Sequence, residues 1–344
     1  MMSSFVSDMP MVGLGTWKIP LQLTQTIVYQ SIKELGVRHL DCACDYGNEV
    51  EVGKGINKAI SEGIVKRGDL WITSKLWNTY HSPEHVEMAF QKSLTDLGLK
   101  YLDLYLIHFP ISMKFVPFED RYPPGWIHDP VGPDPKIEQV YIPLKDTWEA
   151  MEKLVTSQVT RYIGISNFNA QLIMELLSFC SVKPYTNQIE LHPYLCQQVA
   201  PRLHSYNSFF FYFTLRTYHM STLHQSLVDW CHSKGIKTTA LSPLGSPSYI
   251  ELNMDNGLGN GILDEPLIVA IAVAYSKTPA QILLRWNVQR GVSVIPKSSK
   301  IERIAENFAI TDFSLSEKEV FILTLYYIHY ILYTTCTIYT IVLT

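Results

Sequence analysis

Between Met11 and Phe308 the chain repeats one unit: a short apolar run, then an amphipathic stretch with helical spacing. Strands are predicted at Met11–Trp17, in the run ending at Asp41, and at Leu70–Leu76, Tyr101–Phe109, Tyr162–Ser166, Tyr185–Leu191, Lys237–Leu241 and Val292–Ile295. The first helix is expected to be capped by Thr24, to run to about Leu35 and to stop at Gly36. Others follow at Glu49–Glu62, after Ser82-Pro83-Glu84, and at Leu144–Leu154, Ala170–Phe179, Gln225–Ser233, Leu267–Ser276, Pro279–Gln289 and Ile301–Phe308. Strand–helix alternation argues for parallel strands, and eight units fit a closed barrel better than an open doubly wound sheet. An open sheet that binds a dinucleotide wants Gly-x-Gly-x-x-Gly after its first strand. Gly13-Leu14-Gly15 lacks the third glycine, and Gly257-Leu258-Gly259-Asn260-Gly261 sits in a loop. The fold class is therefore α/β, a single (β/α)8 TIM barrel with long loops after strand four (Pro110–Pro143) and strand seven (Ser242 to about Asp264).

A barrel gathers its chemistry at the C-terminal ends of its strands. Asp41, Lys75 and His108 each sit at such an end, and Tyr46 follows in the loop after Asp41. A carboxylate, an ammonium, an imidazole and a phenol meeting at one edge make a proton-transfer site. Composition excludes other classes. The net charge of −4, with no basic run, argues against nucleic acid. A hydrophobic content of 47% with 17% charged residues is that of a folded chain, and 344 residues suffice for one large domain. Cys42 and Cys44, the one close pair among six scattered cysteines, read as core packing, with no second ligand pair to make a metal site. Met1–Asp8 lacks the basic segment and apolar core of a secretory signal, so a cytoplasmic protein is expected.

With those residues in view, the chain resembles the aldo-keto reductases, and among them most the xylose (aldose) reductases. Family-wide matches are Gly13-Leu14-Gly15-Thr16-Trp17, Asp41 with Tyr46-Gly47-Asn48-Glu49, Ser74-Lys75-Leu76-Trp77, Gly164-Ile165-Ser166-Asn167-Phe168 and Ile295-Pro296-Lys297-Ser298. Ile107-His108-Phe109-Pro110, Lys114-Phe115-Val116-Pro117 and Tyr122-Pro123-Pro124-Gly125 add the xylose-reductase character. The resemblance runs from about Met9 to Ser316, and it implies NADPH-dependent reduction of open-chain aldoses and other small aldehydes, with NADH possible as cofactor. It assigns Tyr46 as proton donor, Lys75 as the ammonium expected to lower the phenol's pKa, Asp41 as the anion that keeps buried Lys75 charged, and His108 as a donor to the carbonyl oxygen. It implies Ser166, Asn167 and Gln188 at the nicotinamide carboxamide, with Ser242 and Leu244 also on the cofactor. Lys297, Ser298 and Arg303 would take the 2′-phosphate at a helix N-terminus, and Asn307 the adenine. Trp17, Trp77, Phe109 and His108 are the implied substrate contacts. For Asn48 a helix cap is the simpler role. The implied partner is a small aldehyde or aldose, with the protein a monomer or homodimer and no membrane expected. Alternatives are a sugar-phosphate or broad-range aldehyde reductase, or a family member that binds nucleotide without turnover.

Some features depart from that pattern. Leu241 stands where the family places an aromatic ring before Ser242-Pro243-Leu244-Gly245, so stacking on the nicotinamide loses its π face. Lys300 adds positive charge to the phosphate loop. An atypical insertion at about 199–223, with the run Phe209-Phe210-Phe211-Tyr212-Phe213, interrupts the barrel. An atypical apolar tail is set at 317–344; its Phe321–Thr344 part carries no Asp, Glu, Lys or Arg and is expected to find no core surface to cover. Both stretches read as translated intron or read-through. A tail anchor is the competing reading, against which stand the polar residues spread through the segment and the missing basic flank.

Overall fold

The computed structural model describes residues 8–196, 226–245 and 261–325. Eight parallel strands follow one another in chain order around one sheet: β1 (Leu14–Gly15), β2 (His39–Asp41), β3 (Trp71–Leu76), β4 (Leu102–Ile107), β5 (Thr160–Ser166), β6 (Thr186–Glu190), β7 (Lys237–Leu241) and β8 (Val292–Val294). A parallel bridge between Val12 and Val294 joins the last strand to the first. Gly13 N donates to Val294 O at 2.8 Å and Gly15 N to Pro296 O at 3.1 Å across the same seam. This is the expected (β/α)8 barrel, and closure leaves no open sheet edge among the described residues.

Among the described residues the helices up to Phe308 are α1 (Leu21–Glu34), α2 (Glu49–Ser61), α3 (Pro83–Leu97), α4 (Leu144–Thr156), α5 (Ala170–Phe179), α6 (Leu227–Ser233), α7 (Pro266–Tyr275), α8 (Pro279–Gln289) and α9 (Ile301–Phe308). Their apolar faces form the main core with the outward face of the sheet, as where Val28, Ile32, Val52 and Ile56 join Leu40 and Ile72, all fully buried. Inside the barrel a smaller cluster of Met9, Trp71, Leu104 and Leu106, flanked by Tyr162 and Tyr185, fills the floor.

Alternate residues of a strand share a face. Trp71 and Lys75 therefore lie on the same inward side of β3, and Leu104 and Leu106 on that of β4, which His108 continues just beyond the strand. On β3 and β4 the inward column begins apolar at the floor, with Trp71 and Leu104, and ends polar at the top, with Lys75 and His108. Gly164 belongs to the inward column of β5. A Cβ there would lie 2.7 Å from Leu106 Cδ2 and 2.8 Å from Thr186 O, so only glycine leaves room for the interior.

Some expectations change. Thr24 does not cap α1: Pro20 holds that position without a side-chain cap, and Thr24 lies one turn inside, bonding back to Ile19 O and Pro20 O. Gly36 does end the turn, with φ of 68° in the left-handed region. Cys42 and Cys44 are buried in the main core as free thiols. The loop after β4 is braced by an antiparallel bridge between Met113 and Gln139.

From 317 the chain is helical to 325, and here the tail does meet core. Leu323 is fully buried, the Trp286 indole N–H reaches Val320 O and Thr324 Oγ1, and Tyr275 OH donates to Glu319 at 2.7 Å. The apolar contact comes from one face of this short helical stretch. The insertion at 199–223 and the tail beyond 325 lie outside the described residues. Among those residues no single helix is long and apolar enough to cross a membrane; α7 and α8 reach the required length only as a pair bent by 88°.

Candidate active site

Lys75, fully buried, spends its three N–H bonds on Asp41 Oδ1 at 2.5 Å, Cys42 O at 2.8 Å and Tyr46 OH at 3.1 Å. The ammonium is thereby fixed in place. Because it donates to the phenol oxygen, the hydroxyl hydrogen of Tyr46 remains available to donate elsewhere. Tyr46 keeps part of its surface open, unlike Asp41 and Lys75 beneath it. The ring of His108 stands edge-on to that of Tyr46, centroids 5.9 Å apart. The four residues singled out from the strand ends therefore form one cluster.

Burial raises the Tyr46 pKa well above the ordinary tyrosine range, and Lys75 offsets only part of the rise, while the charges of Asp41 and Asp45 add to it. Lys75 does lower the phenol's pKa, as expected, but loss of water outweighs one ammonium that Asp41 already neutralises, and the net direction is upward. The resting phenol is thereby a weaker acid than a free tyrosine, and it parts with its proton only as negative charge grows on the atom that receives it. Burial pulls on Lys75 the other way, yet Asp41 and Tyr46 together raise its pKa, so it stays charged. His108 is pushed well below its usual value by burial first and by the Lys75 charge second. It is a neutral imidazole, able to donate one N–H to a carbonyl oxygen.

The three implied carboxamide residues are tied to each other and to the proton-transfer cluster. Ser166 Oγ and Asn167 N donate to Gln188 O, at 2.8 and 2.9 Å. Asn167 Nδ2 reaches His108 O at 2.9 Å and Ser166 Oγ at 3.1 Å. Asn167 holds φ at 64°, a left-handed conformation that asparagine tolerates. Gln188 Nε2 donates to Asp41 Oδ2 at 2.7 Å. Each of these side chains has a donor bonded within the group or to the proton-transfer cluster, and the amide oxygens of Asn167 and Gln188 are acceptors of the kind that suits the NH2 of a primary carboxamide. Ser242 and Leu244 lie on the loop after β7, with Ser242 in a left-handed turn (φ 46°). Past β8, Ser298 caps its own loop through Lys300 N and O, and Lys297, Lys300 and Arg303 are exposed around the start of α9, with Asn307 buried on that helix. Cations at a helix N-terminus fit a phosphate, so the residues present suit a phosphorylated nicotinamide cofactor.

Trp77 is buried, with its indole N–H on Gly125 O at 3.1 Å. Its ring packs edge-on against His108 at 5.2 Å, Phe109 at 6.0 Å and Trp126 at 5.0 Å, and Trp17 approaches Tyr46 at 6.5 Å. Aromatic rings thus pack around His108 and Tyr46. Trp126 is the ring that sequence reading missed; it follows directly on Tyr122-Pro123-Pro124-Gly125, and that adjacency was the available signal. Asn48 occupies the position before α2 but makes no cap there. Its Nδ2 donates to Thr16 O at 2.8 Å, tying the Trp17 loop to the Tyr46 loop.

Glu49 is buried, bonded by Ser74 Oγ at 2.6 Å and Ser93 Oγ at 2.9 Å. Burial pushes its pKa from 4.5 up to about 7, against the pull of both serines. Between those values the folded protein binds a proton that the unfolded chain has released. This contribution to stability is therefore present in acid and lost as pH rises through about 7, by up to about 3 kcal/mol. Glu49→Gln should flatten the decline in unfolding midpoint between pH 5 and pH 8. An unchanged slope in the variant would place the titration elsewhere.

A fold and site of this kind define a carbonyl reductase of the barrel type. Residues 11–326 match the model of the Aldo/keto reductase family, and the chain belongs to that family. The match passes Ser316, where the sequence motifs end. The chain is 45% identical over 314 residues, 91% of its length and 86% of the relative's, to the Aspergillus clavatus protein described as "Probable NAD(P)H-dependent D-xylose reductase xyl1". It is 42% identical over 314 residues, 91% and 88% of the two lengths, to the NAD(P)H-dependent D-xylose reductase of Pyricularia oryzae. Among solved structures, the aldose reductase from Schistosoma japonicum superposes with a TM-score of 0.72 at 37% identity, covering 92% of this chain and 87% of that one.

Proposed function

We propose that this chain is an NADPH-dependent reductase of open-chain aldoses, xylose-like sugars first, and of other small aldehydes. The observation that carries this reading is the Lys75 ammonium donating at once to Asp41 Oδ1 and to the Tyr46 hydroxyl. Bound NADPH would supply the hydride. The residues of the chain do the rest. Neutral His108 and the Tyr46 hydroxyl both address the carbonyl oxygen, orienting it beside the aromatic rings. As negative charge grows on that oxygen, Tyr46 gives up its proton, and the phenolate left behind sits 3.1 Å from Lys75 Nζ. The ammonium thus acts mainly on the charge that forms during reaction, the condition for a catalytic rather than a binding effect. The xylose reductase names of the relatives support the sugar assignment, and we extend the reading to a monomer or homodimer acting in the cytoplasm.

Xylose-dependent oxidation of NADPH, followed at the nicotinamide absorbance, tests the activity directly. No turnover with xylose or any small aldehyde, despite nucleotide binding, would leave a binding protein. Cofactor choice rests on Lys297 and Arg303. Arg303→Ala is expected to weaken NADPH by roughly 1.5–3 kcal/mol, the scale of a charge-assisted hydrogen bond, and NADH much less. Equal losses in fluorescence titrations with the two cofactors would remove Arg303 from the 2′-phosphate.

A further inference from the structure

The Asp41 carboxylate has two oxygens with separate partners. Oδ1 takes Lys75 Nζ at 2.5 Å and Oδ2 takes Gln188 Nε2 at 2.7 Å. Gln188 reaches it across the barrel from β6, 147 residues along the chain. Both side chains are buried, at 1% and 2% exposure. A carboxylate torsion is broad and nearly two-fold, so Lys75 alone would not settle how Asp41 presents itself. A second donor on the other oxygen does. That donor is neutral, so it orients the anion without competing with Lys75 for its charge.

We propose that Gln188 is a positioning residue for the proton donor, acting through Asp41 to hold Lys75 on the Tyr46 hydroxyl. Its carboxamide role, which the resemblance implies, is then only half of what it does. Because a carboxylate can only accept, Asp41 forces the NH2 of Gln188 inward and turns its carbonyl oxygen away. One side chain thereby links the proton-donating cluster to the face offered to the nicotinamide. The other titratable or charged groups near Asp41 are His39 below it, Cys42 beside it, and Lys75 and Tyr46 above. None of these donates to Oδ2 among the described residues.

The proposal rests on the reductase reading and is tested with Gln188→Met, of similar length without a donor, and Gln188→Glu, which donates only while protonated. In Gln188→Met, kcat for xylose reduction should fall by about 10²-fold, the scale of an ångström's misplacement. The solvent deuterium isotope effect on kcat should rise as proton transfer becomes limiting. Gln188→Glu should work on the acid side and lose kcat with rising pH, through an ionisation that the parent protein lacks. NADPH dissociation constants, read by fluorescence without turnover, should change far less than kcat in both. A parent-like kcat, isotope effect and pH profile, with loss confined to NADPH binding, would overturn the proposal and leave Gln188 a cofactor contact alone. Activity lost equally at every pH in Gln188→Glu, with no change of isotope effect in Gln188→Met, would also overturn it, as a general structural defect. Absence of turnover in the unmutated protein would instead sink the reductase reading itself.

Discussion

Tyr46→Phe is expected to abolish carbonyl reduction while leaving NADPH binding nearly intact. The loss should be on the order of 10²–10⁴-fold in kcat, the usual range for a positioned general acid. Nothing else in the cluster can replace the hydroxyl. Lys75 has all three of its hydrogens committed to Asp41, Cys42 and Tyr46, and His108 is held neutral by burial and by the ammonium, so it can donate a hydrogen bond but is a poor source of a proton. The phenylalanine ring also keeps the contacts with Trp17 and His108, so the change removes one oxygen and little packing. Turnover is measured with saturating NADPH and xylose, and the NADPH dissociation constant by fluorescence. Retention of more than about a tenth of the parent rate would remove Tyr46 from the role of acid.

The barrel and its reactive ring were legible in the sequence for the same reason. Strand alternation is a local property, and it places Asp41, Lys75 and His108 at the tops of three neighbouring inward columns without any knowledge of long-range packing. What could not be read is what depends on partners distant in the chain. Gln188 was implied at the nicotinamide carboxamide, but its bond to Asp41 needed the closed barrel to bring β6 and β2 to opposite walls of one interior. Asn48 looked like a cap because its position is that of a cap; Thr16 O, 32 residues earlier, won its amide. The Lys75 pull on Tyr46 was legible, but the burial that outweighs it was not, for a related reason. Chemistry names the neighbouring ammonium, whereas the amount of water lost around the ring is a property of the folded protein. The tail was misjudged where Leu323 finds the core beside Trp286, since apolar content alone does not show which surface remains to be covered.

Lys75→Met should be the most damaging single change, because it acts on stability and chemistry together. Methionine fills much of the lysine's volume, so the cavity is small, but it leaves Asp41, 1% exposed, as a buried anion with Gln188 as its remaining side-chain donor. Breaking a buried ion pair in this way costs roughly 3–5 kcal/mol, and it also removes the cation that stabilises a Tyr46 phenolate. Combining Lys75→Met with Asp41→Asn separates the two effects. The second substitution removes the stranded charge, so much of the lost stability should return, giving a double-mutant cycle with a strong coupling between the two sites. Turnover should not return, because neither the thioether that replaces the Lys75 ammonium nor the amide that replaces the Asp41 carboxylate can stabilise the phenolate. Urea unfolding midpoints and xylose-dependent NADPH oxidation, measured on the parent, both single variants and the double variant, read the two quantities independently. If the double variant regained activity in step with its stability, the Asp41–Lys75 pair would be a scaffold for the barrel top, and the proton donor would have to be sought elsewhere.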